Sequence, residues 1–168
     1  MREANPVGEH ADMLGNGNIF ETTWYMRGFE QTLMDLVLKP ELIDAIMGRV
    51  TAFYIEYFDR ALTAARGAID LAFTADDIAG QNGMLMSPDI WRKHIKPHHK
   101  PMNARMHEHG VKILYHTDGA AYSVTVLSTS KIYFKPSASC DSTSAWAANP
   151  VIPKTTREMP LSVLFATS

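Results

Sequence analysis

Two apolar segments of this sequence end in acidic and imidazole side chains. Asp76 and Asp77 follow residues 69–74, and His116 and Asp118 end a second apolar segment. Both segments have the length and composition of short buried strands. A carboxylate there can stabilise positive charge on a substrate, and an imidazole beside a carboxylate can bind a metal or brace a loop. These four side chains are therefore candidate site residues.

The elements that would position them alternate between helices and strands. Apolar spacing predicts helices over 24–38 and 41–65, and a third helix between 88 and 110 that Ser87 would cap, with a bend at Pro97 or Pro101. Strands separated by long helices favour an α/β fold with a parallel sheet. Ligands of such folds bind at the C-terminal ends of the strands, where the candidate residues lie.

Composition limits the class of protein and its partners. The chain has 168 residues, 46% of them apolar, and a formal net charge of −2. These values predict a globular protein that binds neither nucleic acid nor a membrane. Its single cysteine, Cys140, excludes an internal disulfide and a multi-cysteine zinc module. A reducing, cytoplasmic location is expected.

The character of the sequence changes near residue 120. All seven histidines lie in residues 1–120, whereas residues 121–168 are enriched in serine and threonine and lack a sustained helical period. Short strands are expected around 124–127 and 132–134, followed by a loop over 137–144. Residues 121–168 are interpreted either as a disordered Ser/Thr-rich tail or as the product of a shifted reading frame.

Five stretches, taken in order, resemble the uroporphyrinogen decarboxylase superfamily, especially its branch of cobalamin-linked methyltransferases. They are residues 17–28, 76–88, 96–97, 107–112 and 116–119. The resemblance covers roughly residues 13–120 and implies a (β/α)8 barrel. Because such a barrel needs about 250 residues, it implies a partial barrel, with residues 121–168 unlike the family.

Two activities follow from the resemblance. The first is decarboxylation of the acetate side chains of a tetrapyrrole, in porphyrin and haem biosynthesis, which needs no cofactor. The alternative is corrinoid-dependent methyl transfer, which implies a corrinoid protein partner and zinc. A third hypothesis is a non-catalytic truncated product or binding module, whose open barrel edges would make it aggregate or form a homodimer.

The resemblance also assigns roles to three residues of a decarboxylase site. Tyr25 stands where the decarboxylase carries an active-site tyrosine, and Asp76 and Asp77 would accept hydrogen bonds from pyrrole N–H groups. The alternatives are a surface tyrosine and aspartates that cap a turn. Since neighbouring residues of an extended chain point in opposite directions, one aspartate of the two is expected to face the site.

Three further residues are candidate substrate ligands: Arg27, His116 and Asp118. In the methyltransferase branch the motif is His-x-Cys, which binds zinc with a later cysteine. Here Asp118 stands at the position of the cysteine, so a metal site at His116 and Asp118 needs a third protein ligand. Arg27 would meet a substrate carboxylate or be a surface charge.

The remaining histidines are dense on the third predicted helix. They are His94, His98, His99, His107 and His109. We expect these side chains to be solvated or to end the helix, where a positive charge is favourable, although three of them could reach its apolar side.

Overall fold

A computed structural model describes residues 11–121, residue 124 and the backbone of residues 132–137. In chain order its elements are strand β1 (Met13–Gly15), helices α1 (Ile19–Arg27), α2 (Phe29–Leu38) and α3 (Pro40–Ala65), strands β2 (Leu71–Ala75), β3 (Ala79–Gly80) and β4 (Gly83–Met84), helix α4 (Pro88–Ile90), a π-helical turn (Trp91–Ile95), helix α5 (Lys96–Glu108), and strands β5 (Lys112–Asp118) and β6 (Ile132–Ser137).

Four strands form one parallel sheet in the order β1-β2-β5-β6, and β3 and β4 form a separate hairpin. The four strands stand in the sheet in the order in which they occur along the chain, with the β3–β4 hairpin lying between β2 and β5 in sequence. Ala75 is opposite His116, and Asp118 is opposite Ser137. Helices join β1 to β2 and β2 to β5, and successive parallel strands joined in this way are the arrangement of a (β/α)8 barrel. The predicted α/β fold is confirmed, and the four strands of the described residues do not close into a barrel.

The core lies between the sheet and the helices that connect its strands. Helix α3 buries apolar side chains three or four positions apart, as the sequence predicts for an amphipathic helix. They are Ile43, Met47, Val50, Tyr54, Phe58 and Leu62. This row packs with Ile19 and Phe20 of α1 and Ala72 of β2 in one apolar cluster, which fixes the helices against the strands.

The single helix predicted over residues 24–38 is wrong, because Gly28 divides the segment. Gly28 has a φ of 90°, a conformation that only glycine adopts at low cost. Its N–H donates to the Trp24 carbonyl at 2.7 Å, and its own carbonyl accepts from Thr32 at 2.9 Å, so it ends α1 and begins α2. Helix α1 begins five residues earlier than predicted, and β1 is too short to show a period in the sequence.

The predicted cap at Ser87 is confirmed, since its Oγ accepts from the Ile90 N–H at 3.2 Å. Near Pro97, one of the two positions where the sequence predicts a bend, the structure has a π-helical turn over Trp91–Ile95. Pro97 has no N–H to donate to the preceding turn, which interrupts the α-helical hydrogen-bond pattern. Pro101 lies inside α5.

Part of the segment after residue 120 belongs to the sheet. Ile132–Ser137 forms β6, which confirms the strand predicted there, whereas Val124 has helical backbone and is buried. The predicted strand residues 126–127, the loop beyond Ser137, Cys140 and the end of the tail lie outside the described residues. In the part of the chain described, no helix is long and apolar enough to cross a membrane.

Candidate active site at the strand ends

Burial divides the sheet into two faces at the C-terminal end of β5. Ile113, Tyr115 and Thr117 are buried, whereas the alternate residues Leu114 and His116 are partly exposed. Asp118 continues the second set and is exposed. Because successive side chains of a strand point in opposite directions, β5 has one face against the core and one open face. The open face carries both polar candidates of this strand.

Asp77, His116 and Asp118 come together on the open face. One potential ligand atom from each lies within 4.8 Å of the others. His116 Nε2 is 3.3 Å from Asp118 Oδ1, and the Asp118 N–H donates to Asp77 Oδ1 at 2.9 Å. The His116 ring stacks on Phe73, with centroids 6.1 Å apart. The third protein ligand that the sequence left unassigned has a candidate in Asp77.

These three residues fit a divalent metal. Zinc bonds of about 2.0–2.1 Å in a tetrahedral arrangement separate ligand atoms by about 3.3 Å, the spacing found between His116 and Asp118. Catalytic zinc sites use three protein ligands and leave one position for substrate or water. In such a site the imidazole and the two carboxylates would supply the three protein ligands.

Asp76, the residue directly after β2, faces away from the open side of the sheet and is fully buried. Its Oδ1 accepts from the Glu21 N–H at 2.9 Å, and its Oδ2 lies 2.8 Å from Nε2 of His99. The Asp76 N–H donates to the His116 carbonyl at 3.1 Å, and the Asp76 carbonyl accepts from the Tyr115 hydroxyl at 3.4 Å. The structure therefore separates the two aspartates: Asp77 faces the open side, and Asp76 joins α1, α5 and β5.

Glu21 is a member of the site that the sequence analysis did not single out. It is 8% exposed, and its Oε1 accepts from the Asp77 N–H at 3.0 Å. Burial raises the pKa of Glu21. Hydrogen bonds from Asn18 and the Asp77 N–H lower it, but the negative charges of Asp76 and Asp77 add to the rise, and the net shift is upward. Asn18 donates to the Glu21 carboxylate at 2.7 Å. The spacing of three residues between Asn18 and Glu21 was the feature of the sequence that could have indicated this role.

Tyr25 lies at the edge of this cluster and is 73% exposed. Its hydroxyl donates to Glu21 Oε2 at 3.4 Å, and the negative charge of Glu21 raises the pKa of Tyr25. Arg27 is placed elsewhere: its Nε lies 2.9 Å from Oδ2 of Asp35, which is 1% exposed. Arg27 thus connects α1 to α2 and is not part of the cluster at the strand ends.

The expectation that the helical histidines are solvated is wrong for His94 and His99, which are both buried. His94 Nδ1 lies 3.0 Å from each carboxylate oxygen of Asp44, and His109 Nε2 lies 2.9 Å from Asp59. Both acids belong to α3, so a carboxylate of that helix compensates the burial of His94, and another pairs with the partly exposed His109. His107 is exposed, as expected.

The sequence profile of the family described as uroporphyrinogen decarboxylase (URO-D) matches residues 15–143. The chain belongs to this URO-D family. The family match continues past residue 120, the boundary drawn from the sequence, and so does the sheet of this URO-D protein. A search of curated proteins gives no match.

Among solved structures, this URO-D family chain is similar to a methyltransferase from Methanosarcina mazei. The two share 18% identity with a TM-score of 0.53, over 64% of this chain and 29% of the other. The likeness shows the fold, and the chain spans less than a third of the length of that methyltransferase.

Proposed function

We propose that this URO-D family chain contributes a metal-dependent site of the methyltransferase type, with Asp77, His116 and Asp118 as the metal ligands. The observation that carries the proposal is the approach of their three ligand atoms to within 4.8 Å of one another. The site lies at the C-terminal ends of parallel strands, the position of the active site in (β/α)8 barrels.

The chemistry of the donor set favours zinc or another divalent ion that accepts nitrogen and oxygen. Imidazole suits zinc and iron, and carboxylates suit manganese as well as zinc. Bound zinc would lower the pKa of a substrate thiol and so supply the thiolate that accepts a methyl group. For methyl transfer we propose a corrinoid protein as the partner.

The other residues of the site hold these ligands in place. Phe73 stacks on the His116 ring and orients it, while the Asp118 N–H holds one oxygen of Asp77. Glu21 fixes the backbone of Asp77 from α1. Ligands braced in this way bind a metal with less loss of side-chain freedom.

Metal binding by the metal-free 168-residue protein tests the proposal. We expect about one Zn²⁺ or Co²⁺ per chain by calorimetric titration, with affinity reduced about tenfold or more in His116→Ala and Asp77→Asn. Asp89→Asn is the control, because Asp89 is an exposed acid that pairs with Arg92. Absence of binding, or unchanged binding in His116→Ala, would contradict the proposal.

Decarboxylation of a tetrapyrrole is the second candidate, and the family description favours it. Glu21 and Asp77 lie together beside the exposed hydroxyl of Tyr25, where carboxylates could accept pyrrole N–H groups and stabilise positive charge. This reaction needs no metal. Release of carbon dioxide from uroporphyrinogen in the presence of a chelator, reduced in Tyr25→Phe, would favour it over methyl transfer.

A further inference from the structure

We propose that His99 is a positioning residue for the candidate metal ligands and that it acts through Asp76 and Glu21. The inference rests on the proposed metal site and adds to it a residue of α5. The histidine does not reach the open face. It influences the ligands through the contacts that Asp76, its buried partner, makes at the ends of β2 and β5.

His99 is placed to hold one oxygen of Asp76. The ring is 7% exposed and meets the Tyr115 ring edge-on, with centroids 5.4 Å apart. Its Nε2 lies 2.8 Å from Asp76 Oδ2, but neither atom has a partner with the angles of a hydrogen bond. The contact is therefore a close approach of a polar ring nitrogen to a carboxylate oxygen.

From Asp76, three hydrogen bonds lead to the ligand set. Asp76 Oδ1 accepts from the Glu21 N–H at 2.9 Å, and Glu21 Oε1 accepts from the Asp77 N–H at 3.0 Å. Asp77 Oδ1 then accepts from the Asp118 N–H at 2.9 Å. Two of the three candidate ligands thus belong to the series that starts at His99.

The burial of Asp76 explains why this contact matters. A carboxylate with no exposed surface is costly unless a positive or polar group compensates it. Among the described contacts, His99 supplies that group for Oδ2, and the Glu21 backbone supplies it for Oδ1. Without His99, we expect the carboxylate to rotate, which would release the backbone of Glu21 and loosen Asp77.

Two amide substitutions that differ in where they place the nitrogen separate positioning from simple packing, provided that the stability of each is measured as well. A glutamine at residue 99 carries its amide nitrogen near the place of Nε2, whereas an asparagine carries it near Nδ1. Both replace the ring by a smaller polar group. The positioning role therefore predicts that His99→Gln and His99→Asn differ in Co²⁺ affinity and in the spectrum of the bound ion, whereas a role in packing alone would make them differ in thermal stability with the spectrum unchanged.

The experiment is a Co²⁺ titration of the metal-free full chain, followed by the visible absorption of the bound ion. We expect His99→Gln to bind within about threefold of the unsubstituted protein and His99→Asn to bind about tenfold more weakly with an altered spectrum. His107→Asn, at an exposed position of the same helix, is the control and should match the unsubstituted protein. Thermal unfolding without metal reports the stability of each variant.

The outcomes distinguish the two proposals. Equal Co²⁺ affinity and spectra in His99→Gln and His99→Asn, with binding still lost in His116→Ala, would overturn the role of His99 and leave the metal site standing. An unsubstituted protein that binds no Co²⁺ would overturn both. If His99→Asn does not fold, Asp76→Asn replaces it, and normal affinity in that variant would overturn the inference.

Discussion

At the scale of single residues, one glycine decides whether the loop after β5 can approach the β3–β4 hairpin. Gly119 follows Asp118 and has a φ of 81°. A Cβ built on it would lie 2.5 Å from the Gly80 carbonyl oxygen and 2.8 Å from the Ala79 carbonyl carbon. The adjacent Ala120 N–H donates to the same Gly80 oxygen at 2.9 Å. The glycine of the His-x-Asp-Gly sequence thus allows the loop after β5 and the β3–β4 hairpin to pack closely beside the site.

We predict that Gly119→Ala destabilises the protein more than Gly67→Ala does. Gly67 also has a positive φ, 78°, but a Cβ there would meet nothing within 4 Å. The control should therefore cost about 1–2 kcal/mol from backbone conformation alone, and Gly119→Ala about 1–3 kcal/mol more from overpacking. Urea denaturation measures both, and equal losses would contradict this account of the contact.

At the scale of elements, two histidine–aspartate pairs join α5 and the preceding π-helical turn to α3. His94 contacts Asp44 near the start of α3, and His109 contacts Asp59 towards its end. Arg105 adds a positively charged partner, 2.7 Å from Asp59. The two helices therefore have polar contacts at both ends of an interface whose middle is apolar.

The pair at Asp59 makes stability depend on pH. The hydrogen bond from His109 and the charge of Arg105 lower the pKa of Asp59 below its ordinary 3.8, although desolvation opposes them. A carboxyl group whose pKa is lower in the folded protein than in the unfolded chain stabilises the folded state at pH values above its unfolded pKa. This contribution is lost as the pH falls through its folded pKa. We predict that Asp59→Asn lowers the urea midpoint at about pH 5 and that the difference shrinks below about pH 3.8.

The control for Asp59→Asn is Glu56→Gln, which breaks an exposed pair with Arg60 within the same helix. Exposed pairs of this kind contribute little to stability, so its urea midpoint should stay near that of the unsubstituted protein. If the urea midpoints of Asp59→Asn and the unsubstituted protein differ by the same amount at low pH, the pH dependence does not come from Asp59, and the prediction is wrong.

At the scale of the whole molecule, one apolar core connects the helices to the sheet, and the opposite face of the sheet stays open. Phe58 of α3 is fully buried and belongs to that core, whereas Phe53 of the same helix is 63% exposed. A single core predicts that unfolding is cooperative. Such a transition would count against the hypothesis of a non-catalytic truncated product that aggregates through open barrel edges.

We predict that Phe58→Ala destabilises the protein by about 3–5 kcal/mol, because it removes buried apolar surface and leaves a cavity. Phe53→Ala, the matched control, should change stability by no more than about 0.5 kcal/mol. Urea unfolding followed by tryptophan fluorescence measures both. Similar effects of the two substitutions would show that α3 does not pack as described.

The sequence by itself determined the α/β class, the amphipathic helix α3, the cap at Ser87 and the polar strand ends. Periodicity and capping are local properties, which neighbouring residues specify. The tertiary structure decided which strand ends meet, and so placed Asp77 with His116 and Asp118 while turning Asp76 towards the core. It also decided the partners of the buried histidines and the place of Glu21. These depend on contacts between residues about fifty positions apart, which no local pattern records.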